Sequence, residues 1–242
     1  MVLLIALASG AAWPTRPTIE CGLSAGVVGG IGLVFFFRAL AGGHMGPTAS
    51  IAGVVTAAVP VVYSLLTEVP PASLQLDGFA LAAVAIWLVA SGPGGGGRLD
   101  LRGVATAIIA GIAFGSMLVL LRLANGGALW PLVASRTTSA GVGIVCSLSI
   151  TARSGRHSSR PRPKISLGLV ALCVLCGLLD VGGNFLYTTS ALLGRLDVAG
   201  VLSSLYPGFT ILLAAWLLGE PTTRKQAIGM GLAFGAVLMI SL

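Results

Sequence analysis

The sequence predicts an all-α membrane protein of about nine transmembrane helices arranged as two inverted repeats. Of the 242 residues, 56% are hydrophobic and only 9% are charged, whereas a soluble domain carries about 25% charged residues. Apolar runs of about 20 residues recur along the chain, which is the length that a helix needs to cross a bilayer. In addition, a nine-residue segment near position 52 recurs in similar form near position 199.

Nine apolar segments are the expected spans. They cover residues 1–12, 21–40, 47–67, 74–91, 103–122, 128–151, 166–191, 198–219 and 226–242. The first is too short to cross a membrane alone at 1.5 Å per residue, and it lacks the basic start and cleavage site of a signal peptide. We therefore interpret it as the end of a helix whose beginning is missing.

Clusters of proline and glycine separate these segments. Residues 13–17 contain two prolines, Pro70 and Pro71 are adjacent, and residues 92–97 are almost entirely glycine. The glycine run formally matches a nucleotide-binding pattern, but it does not follow a strand. We interpret residues 92–102 as a flexible linker between a first repeat, 1–91, which is truncated at its N-terminus, and a second repeat, 103–242.

Glycines at four-residue spacing predict close contacts between helices, because such spacing leaves bare backbone along one helix face. The sets are Gly22, Gly26 and Gly30; Gly111 and Gly115; and Gly231 and Gly235.

The internal repeat indicates how the two halves are related. Residues 52–60 are AGVVTAAVP and residues 199–207 are AGVLSSLYP, and further on Gln75 and Gly78 match Gln226 and Gly229. The matched segments belong to the third and eighth expected spans, which are an odd number of crossings apart and so run in opposite directions. Inverted repeats of this kind are common in transporters, whose solute site lies near the middle of the membrane. A duplication without transport is the alternative.

Two charged residues fall near the centre of expected spans, Asp180 in 166–191 and Arg136 in 128–151. Charge within a bilayer costs about 2.5–3.5 kcal/mol on insertion scales, so such residues are functional candidates. Asp180, Asn184 and Tyr187 share one helix face by their spacing. We expect Asp180, Asn184 and Arg136 to face a central cavity, where Asp180 either takes a proton or pairs with Arg136. The alternative is a purely structural ion pair between two helices.

Aromatic and proline residues are further candidates for the solute site. Tyr63 and Tyr206 are candidate contacts for a solute, and Pro60 and Pro207 occupy matching positions of the two repeats. Proline leaves a helical carbonyl without its usual partner and bends the helix, and paired broken helices indicate a transporter binding site. Simple packing kinks are the alternative.

The remaining polar residues give no sign of enzymatic, metal or cofactor chemistry. Cys173 and Cys176 form a C-x-x-C pair within an apolar segment without a nearby histidine, and neither His44 nor His157 has ligand partners. No combination of a nucleophile, a histidine and an acid occurs within the spans. The net charge of +7 comes from short stretches between apolar runs, a pattern typical of membrane orientation signals rather than of a nucleic-acid interface. We expect no enzyme, no cofactor, no metal site and no nucleic-acid partner.

Residues 178–242 closely resemble the second half of the EamA-type drug/metabolite transporters. The resemblance is carried by Ser203-Ser204-Leu205-Tyr206-Pro207, by Gly219-Glu220 and by Gln226-x-x-Gly229, and the first half is similar at FFFRALAGGHMGPTASIAGVVTAAVPV. The family pattern implies ten helices in two five-helix repeats, so this chain is expected to lack the first helix.

The resemblance also implies a function and a location. We expect a secondary transporter in the cytoplasmic membrane that moves a small organic metabolite or drug, by export and alternating access, with proton coupling left open. The partners would be the solute and the lipid bilayer, and a homodimer also stays open. An inactive or scaffold paralogue is the first alternative, and an intramembrane enzyme acting on lipid is the second.

Overall fold

The computed structural model describes residues 3, 6–7, 10, 13–41, 45–67, 71–90, 101–124, 127–153, 166–205, 216 and 223–241. These residues form eight principal helices and contain no strand. The helices are α1 (Arg16–Leu40), α2 (Met45–Thr67), α3 (Ser73–Ala90), α4 (Leu101–Leu123), α5 (Leu129–Arg153), α6 (Leu167–Leu193), α7 (Leu196–Ser204) and α8 (Arg224–Ser241).

Seven of these helices lie close to expected spans, and the differences fall at their ends. α1 begins at Arg16 rather than at residue 21, with Pro17 in its first turn, a position where proline is accepted because its missing N–H would have no helical partner. The first turn of α1 is largely polar, so the apolar pattern that predicted the span does not extend over it. Most of the expected span 1–12, and the expected span 198–219 beyond Leu205, lie outside the described residues, as does most of the linker.

Three helices, α1, α4 and α6, are long and apolar enough to cross a membrane. Residues 51–67 of α2 and 73–89 of α3 form shorter apolar helices. The chain therefore has the composition and helix lengths of a membrane protein.

Helix α1 packs against both α4 and α5 through its glycine face. A Cβ atom at Gly22 would lie 2.9 Å from Ala134 Cβ, and one at Gly26 would collide with the backbone of Ser135 and the side chain of Thr138. The Ser139 hydroxyl donates a hydrogen bond to the Gly26 carbonyl at 2.8 Å. The predicted close contact of this face is confirmed.

Helix α2 packs against α4, where a second glycine pair makes the contact. Cβ atoms at Gly111 and Gly115 would lie 2.6 Å from the Cβ atoms of Val55 and Val59. The third predicted pair differs, because a Cβ atom at Gly231 would meet nothing within 4 Å among the described residues. In α8 the close contact is made by Gly229 instead.

Helices α3 and α8 make the most extensive pairing, and their contacts are reciprocal. A Cβ atom at Gly78 of α3 would lie 3.1 Å from Met239 Cβ, and one at Gly229 of α8 would lie 3.0 Å from Leu88 Cβ. Residues 78 and 229 are 151 positions apart, and so are residues 88 and 239. Each helix therefore contacts the other through an equivalent glycine, and each glycine faces an equivalent position of its partner helix.

Helix α6 is covered far less than its neighbours. None of the residues in its most apolar 18-residue stretch is buried, whereas 44% of the corresponding stretch of α4 is buried. Its contacts with α4 and α5 are few, and it packs mainly on α7. Much of α6 is consequently accessible within the described part of the chain.

Candidate functional site

An ion pair joins α5 to the middle of α6. Asp180 is the fourteenth of the 27 residues of α6, and Arg136 lies about 10 Å from the start of α5 at 1.5 Å per residue. Arg136 Nη1 lies 2.6 Å from Asp180 Oδ2. Because so few other contacts link these helices, the ion pair is a principal connection between them.

Asn184 extends the polar surface by one turn of α6. Its Nδ2 donates to the Asp180 backbone carbonyl at 2.8 Å and to Asp180 Oδ1 at 3.1 Å. One carboxylate oxygen therefore contacts the arginine and the other contacts the amide. These contacts orient the Asp180 carboxylate and satisfy charge that apolar surroundings would otherwise penalise.

The ion pair is accessible, with 30% of the Arg136 side chain and 54% of the Asp180 side chain exposed. Residues 166–180 of α6 are all exposed. A carboxylate in this position can exchange its arginine partner for a proton or for a polar group of a solute. A deeply buried pair could not do so without a larger rearrangement.

The two candidate tyrosines lie together, apart from Asp180. Tyr187 is buried in a cluster with Leu118 and Val119 of α4, and Tyr63 packs against the same cluster. Spacing along α6 predicts one polar face for Asp180, Asn184 and Tyr187, but the environments differ. The reason is that α4 and α7 cover the end of α6 that carries Tyr187 and leave its middle open.

The candidate hinges are only partly within the described residues. Pro60 lies inside α2, is fully buried, and would meet a Cβ atom on Gly200 of α7 at 2.9 Å. Its position between two helices is therefore close-packed. Tyr206 and Pro207 lie outside the described residues.

Two polar sites of the structure are missing from the sequence-based candidates. Asp197, at the start of α7, is fully buried and accepts from Arg195 Nε at 3.1 Å and from Arg195 Nη2 at 2.7 Å. Arg122, in the last turn of α4, has a buried Nε without a hydrogen-bond partner in the described structure. Both residues lie at helix ends, where charged residues are common, so their positions alone did not mark them as candidates. The Arg-x-Asp spacing of Arg195 and Asp197 is the one feature of the sequence that indicates such a pair.

An open apolar groove of about 680 Å³ lies between α1 and α5, beyond Arg136 toward the C-terminal end of α5. Its lining includes Ile31, Phe35, Thr138, Val142, Cys146 and Ser149. Within the described ranges there is no cluster of three or more histidine, cysteine, aspartate or glutamate residues that could hold a metal ion. The polar groups available to a ligand in this part of the molecule are thus few and mostly uncharged.

Comparisons with known proteins identify the family. The sequence model described as the EamA-like transporter family matches residues 101–242. A comparison with curated protein sequences finds no match. A solved structure titled "Crystal structure of protein" superposes with a TM-score of 0.70 at 16% identity, covering 100% of this chain and 95% of that one. At this identity the similarity concerns the fold alone. Because the family model matches more than half of the chain, this protein belongs to the EamA-like transporter family.

Proposed function

We propose that the protein is a secondary transporter that exports a small organic metabolite or drug across the cytoplasmic membrane, with Asp180 as its proton-carrying residue. Family membership supports transport by a membrane protein. The accessible Arg136–Asp180 pair in the middle of an apolar helix is the observation that carries the rest. Charged side chains within a membrane are costly, and they generally face a polar pathway for a solute or an ion.

The proposed architecture is nine spans in two inverted repeats. Its support is the reciprocal contact of α3 and α8, in which Gly78 faces Met239 and Gly229 faces Leu88. The helix starts are also equivalent: Gln75 Oε1 accepts from the Ala72 N–H at 3.2 Å, and Gln226 Oε1 accepts from the Thr223 N–H at 2.9 Å. Two repeats of this kind provide two rigid halves that rock about a central solute site.

The proposed cycle is centred on the Asp180 carboxylate. While it is ionised, it is paired with Arg136, and α5 and α6 are held together at that level. Protonation removes the negative charge and weakens the ion pair, which frees the guanidinium and lets the helices separate. Release of the proton on the other side restores the ion pair, so that proton movement and helix movement are coupled.

The test is efflux from proteoliposomes loaded with a panel of labelled metabolites, with and without an imposed pH gradient. We expect flux of at least one solute to follow the gradient in the wild-type protein. Asp180→Asn should lose the gradient dependence, whereas Asp77→Asn, which changes an exposed acid near the start of α3, should retain it.

Each alternative gives a different result. Full gradient-dependent flux in Asp180→Asn would eliminate the coupling role of this residue. Absence of flux for every solute, from protein that is correctly inserted, would favour the inactive paralogue.

A further inference from the structure

A second cation lies at the end of α4, and none of the described acidic residues forms an ion pair with it. Arg122 is half-buried in the last turn of that helix. Its Nε is buried and makes no hydrogen bond, and no carboxylate within the described ranges forms an ion pair with it. The other arginine of this region, Arg136, is neutralised by Asp180. A half-buried guanidinium with an unpaired nitrogen and no counter-charge has capacity for an anion.

The Tyr187 hydroxyl is also unpaired. Only 6% of this residue is exposed, and its oxygen has no hydrogen-bond partner among the residues described. Buried tyrosine hydroxyls usually find a partner. This hydroxyl can donate one hydrogen bond and has no acceptor.

Arg122 and Tyr187 converge between α4 and α6. Tyr187 belongs to the same buried cluster as Leu118 and Val119 of α4, and Arg122 follows Leu118 by one turn on the same face of α4. Two donors without hydrogen-bond partners among the described residues therefore lie on neighbouring parts of α4 and α6.

We propose that Arg122 and Tyr187 bind the anionic group of the transported solute, and that this solute is an organic carboxylate. The guanidinium supplies the charge and a planar pair of donors, and the hydroxyl supplies one further hydrogen bond. This inference rests on the proposed transport function, and it adds a substrate class and a second binding level to it.

The spacing along α6 limits the size of the solute. Tyr187 follows Asp180 by seven residues, which is about 10 Å of helix. A carboxylate at the Arg122–Tyr187 level therefore lies too far from Asp180 for a small amino acid to bind both with its two charged groups. The surrounding side chains Leu118, Val119 and Tyr63 are mainly apolar, so the body of the solute is expected to be apolar as well.

The test uses phenylacetate, which is a carboxylate with an apolar body, and its neutral counterpart phenylacetamide. Binding of labelled phenylacetate to the protein in nanodiscs is measured at equilibrium, with phenylacetamide as competitor. We expect saturable binding in the wild-type protein and no effective competition by the amide. Arg122→Gln should weaken binding about tenfold or more, the effect of removing a charge-assisted hydrogen bond.

Three further variants separate binding from folding. Tyr187→Phe removes only the hydroxyl and should weaken binding about three- to tenfold. Arg122→Lys retains the charge and should bind more tightly than Arg122→Gln. Arg102→Gln changes an exposed arginine at the opposite end of α4 and should bind like the wild-type protein.

Three outcomes would overturn the inference: no saturable phenylacetate binding to wild-type protein, equal binding of the amide, or equal binding by Arg122→Gln. The result is independent of the flux assay. Gradient-driven flux without any dependence on Arg122 would leave transport standing and remove this site. Conversely, Arg122-dependent binding without flux would support the site and remove the transport proposal.

Discussion

The Arg136–Asp180 pair places two charges among apolar helices, and each charge offsets the unfavourable free energy of the other. Each charge alone in an apolar layer is unfavourable, and the pair removes most of that cost by mutual neutralisation. In the proposed cycle, the partial exposure of the pair lets it open without the unpacking that a deeply buried pair would require.

We therefore expect the effects of the two single neutralisations on stability to be less than additive. Arg136→Gln and Asp180→Asn should each lower the free energy of unfolding in mixed micelles, because each leaves one charge uncompensated. The variant with both changes should regain about 1 kcal/mol relative to the sum of the singles. Strict additivity would show that the two side chains do not interact in solution.

Asp197 is expected to have a purely structural role. Its carboxylate is fully buried, and it is held by two hydrogen bonds from Arg195 and by one from the Val198 N–H at 2.9 Å. Asp197→Asn should lower the free energy of unfolding by about 1–3 kcal/mol, since it removes the charge from hydrogen bonds that hold a buried carboxylate. Thermal unfolding in detergent is the measurement, and the exposed Asp77→Asn is the control. Unchanged stability would contradict the buried pair.

At the scale of the helices, bare glycine surfaces determine which elements approach closely. Gly22 and Gly26 admit α5 onto α1, and Gly111 and Gly115 admit α2 onto α4. In a bilayer, helices gain little by hiding apolar surface from lipid, so the closeness of van der Waals contact determines which pairs form. Small residues on one face are thus a direct cause of this arrangement.

Gly26→Ala should separate α1 from α5. The added methyl group would collide with the Ser135 backbone, which cannot move aside as a flexible side chain can. We expect a loss of about 1–3 kcal/mol in unfolding free energy. Gly143→Ala, on an exposed part of α5 where nothing lies within 4 Å, should be neutral or up to about 1 kcal/mol stabilising through helix propensity. Equal effects of the two changes would show that α1 and α5 are not in close contact.

At the scale of the whole molecule, the reciprocal pairing of α3 and α8 connects the beginning of the chain to its end. The cluster around Ala82, Ile86, Ala236 and Ile240 forms the common core of these two helices. Contacts of such large sequence separation hold the proposed halves together. They are also the contacts that an inverted repeat would place about its symmetry axis.

This pairing can be tested by cross-linking in the membrane. In a variant whose four free cysteines are replaced by alanine, Gly78→Cys with Met239→Cys and Gly229→Cys with Leu88→Cys should both form intramolecular disulfides on oxidation. The corresponding Cβ separations of 3.1 and 3.0 Å are close to the range that a disulfide needs. Single-cysteine variants serve as controls. Efficient cross-linking of only one pair would contradict reciprocal contact.

The sequence by itself determined the helical, membrane-embedded class of this protein, because the length and apolarity of a segment decide locally whether it can cross a bilayer. It also predicted that Asp180 lies at the middle of its helix, since that depends only on the distance from the helix ends, whereas Arg136 lies nearer the start of α5 than the expected span had it. The glycine spacing predicted which helix faces pack closely, although in α8 it pointed to Gly231 rather than to Gly229, the glycine that the repeat matches with Gly78.

Only the tertiary structure decided which side chains meet. The contact of Arg136 with Asp180, and the burial of Tyr187 away from Asp180 in a cluster with Leu118 and Val119, both depend on the rotation and crossing of helices that are distant in sequence. A helical period assigns residues to a face, but it does not state what covers that face. Helices α4 and α7 cover one end of α6 and leave its middle open. This difference separates the accessible ion pair from the buried tyrosine.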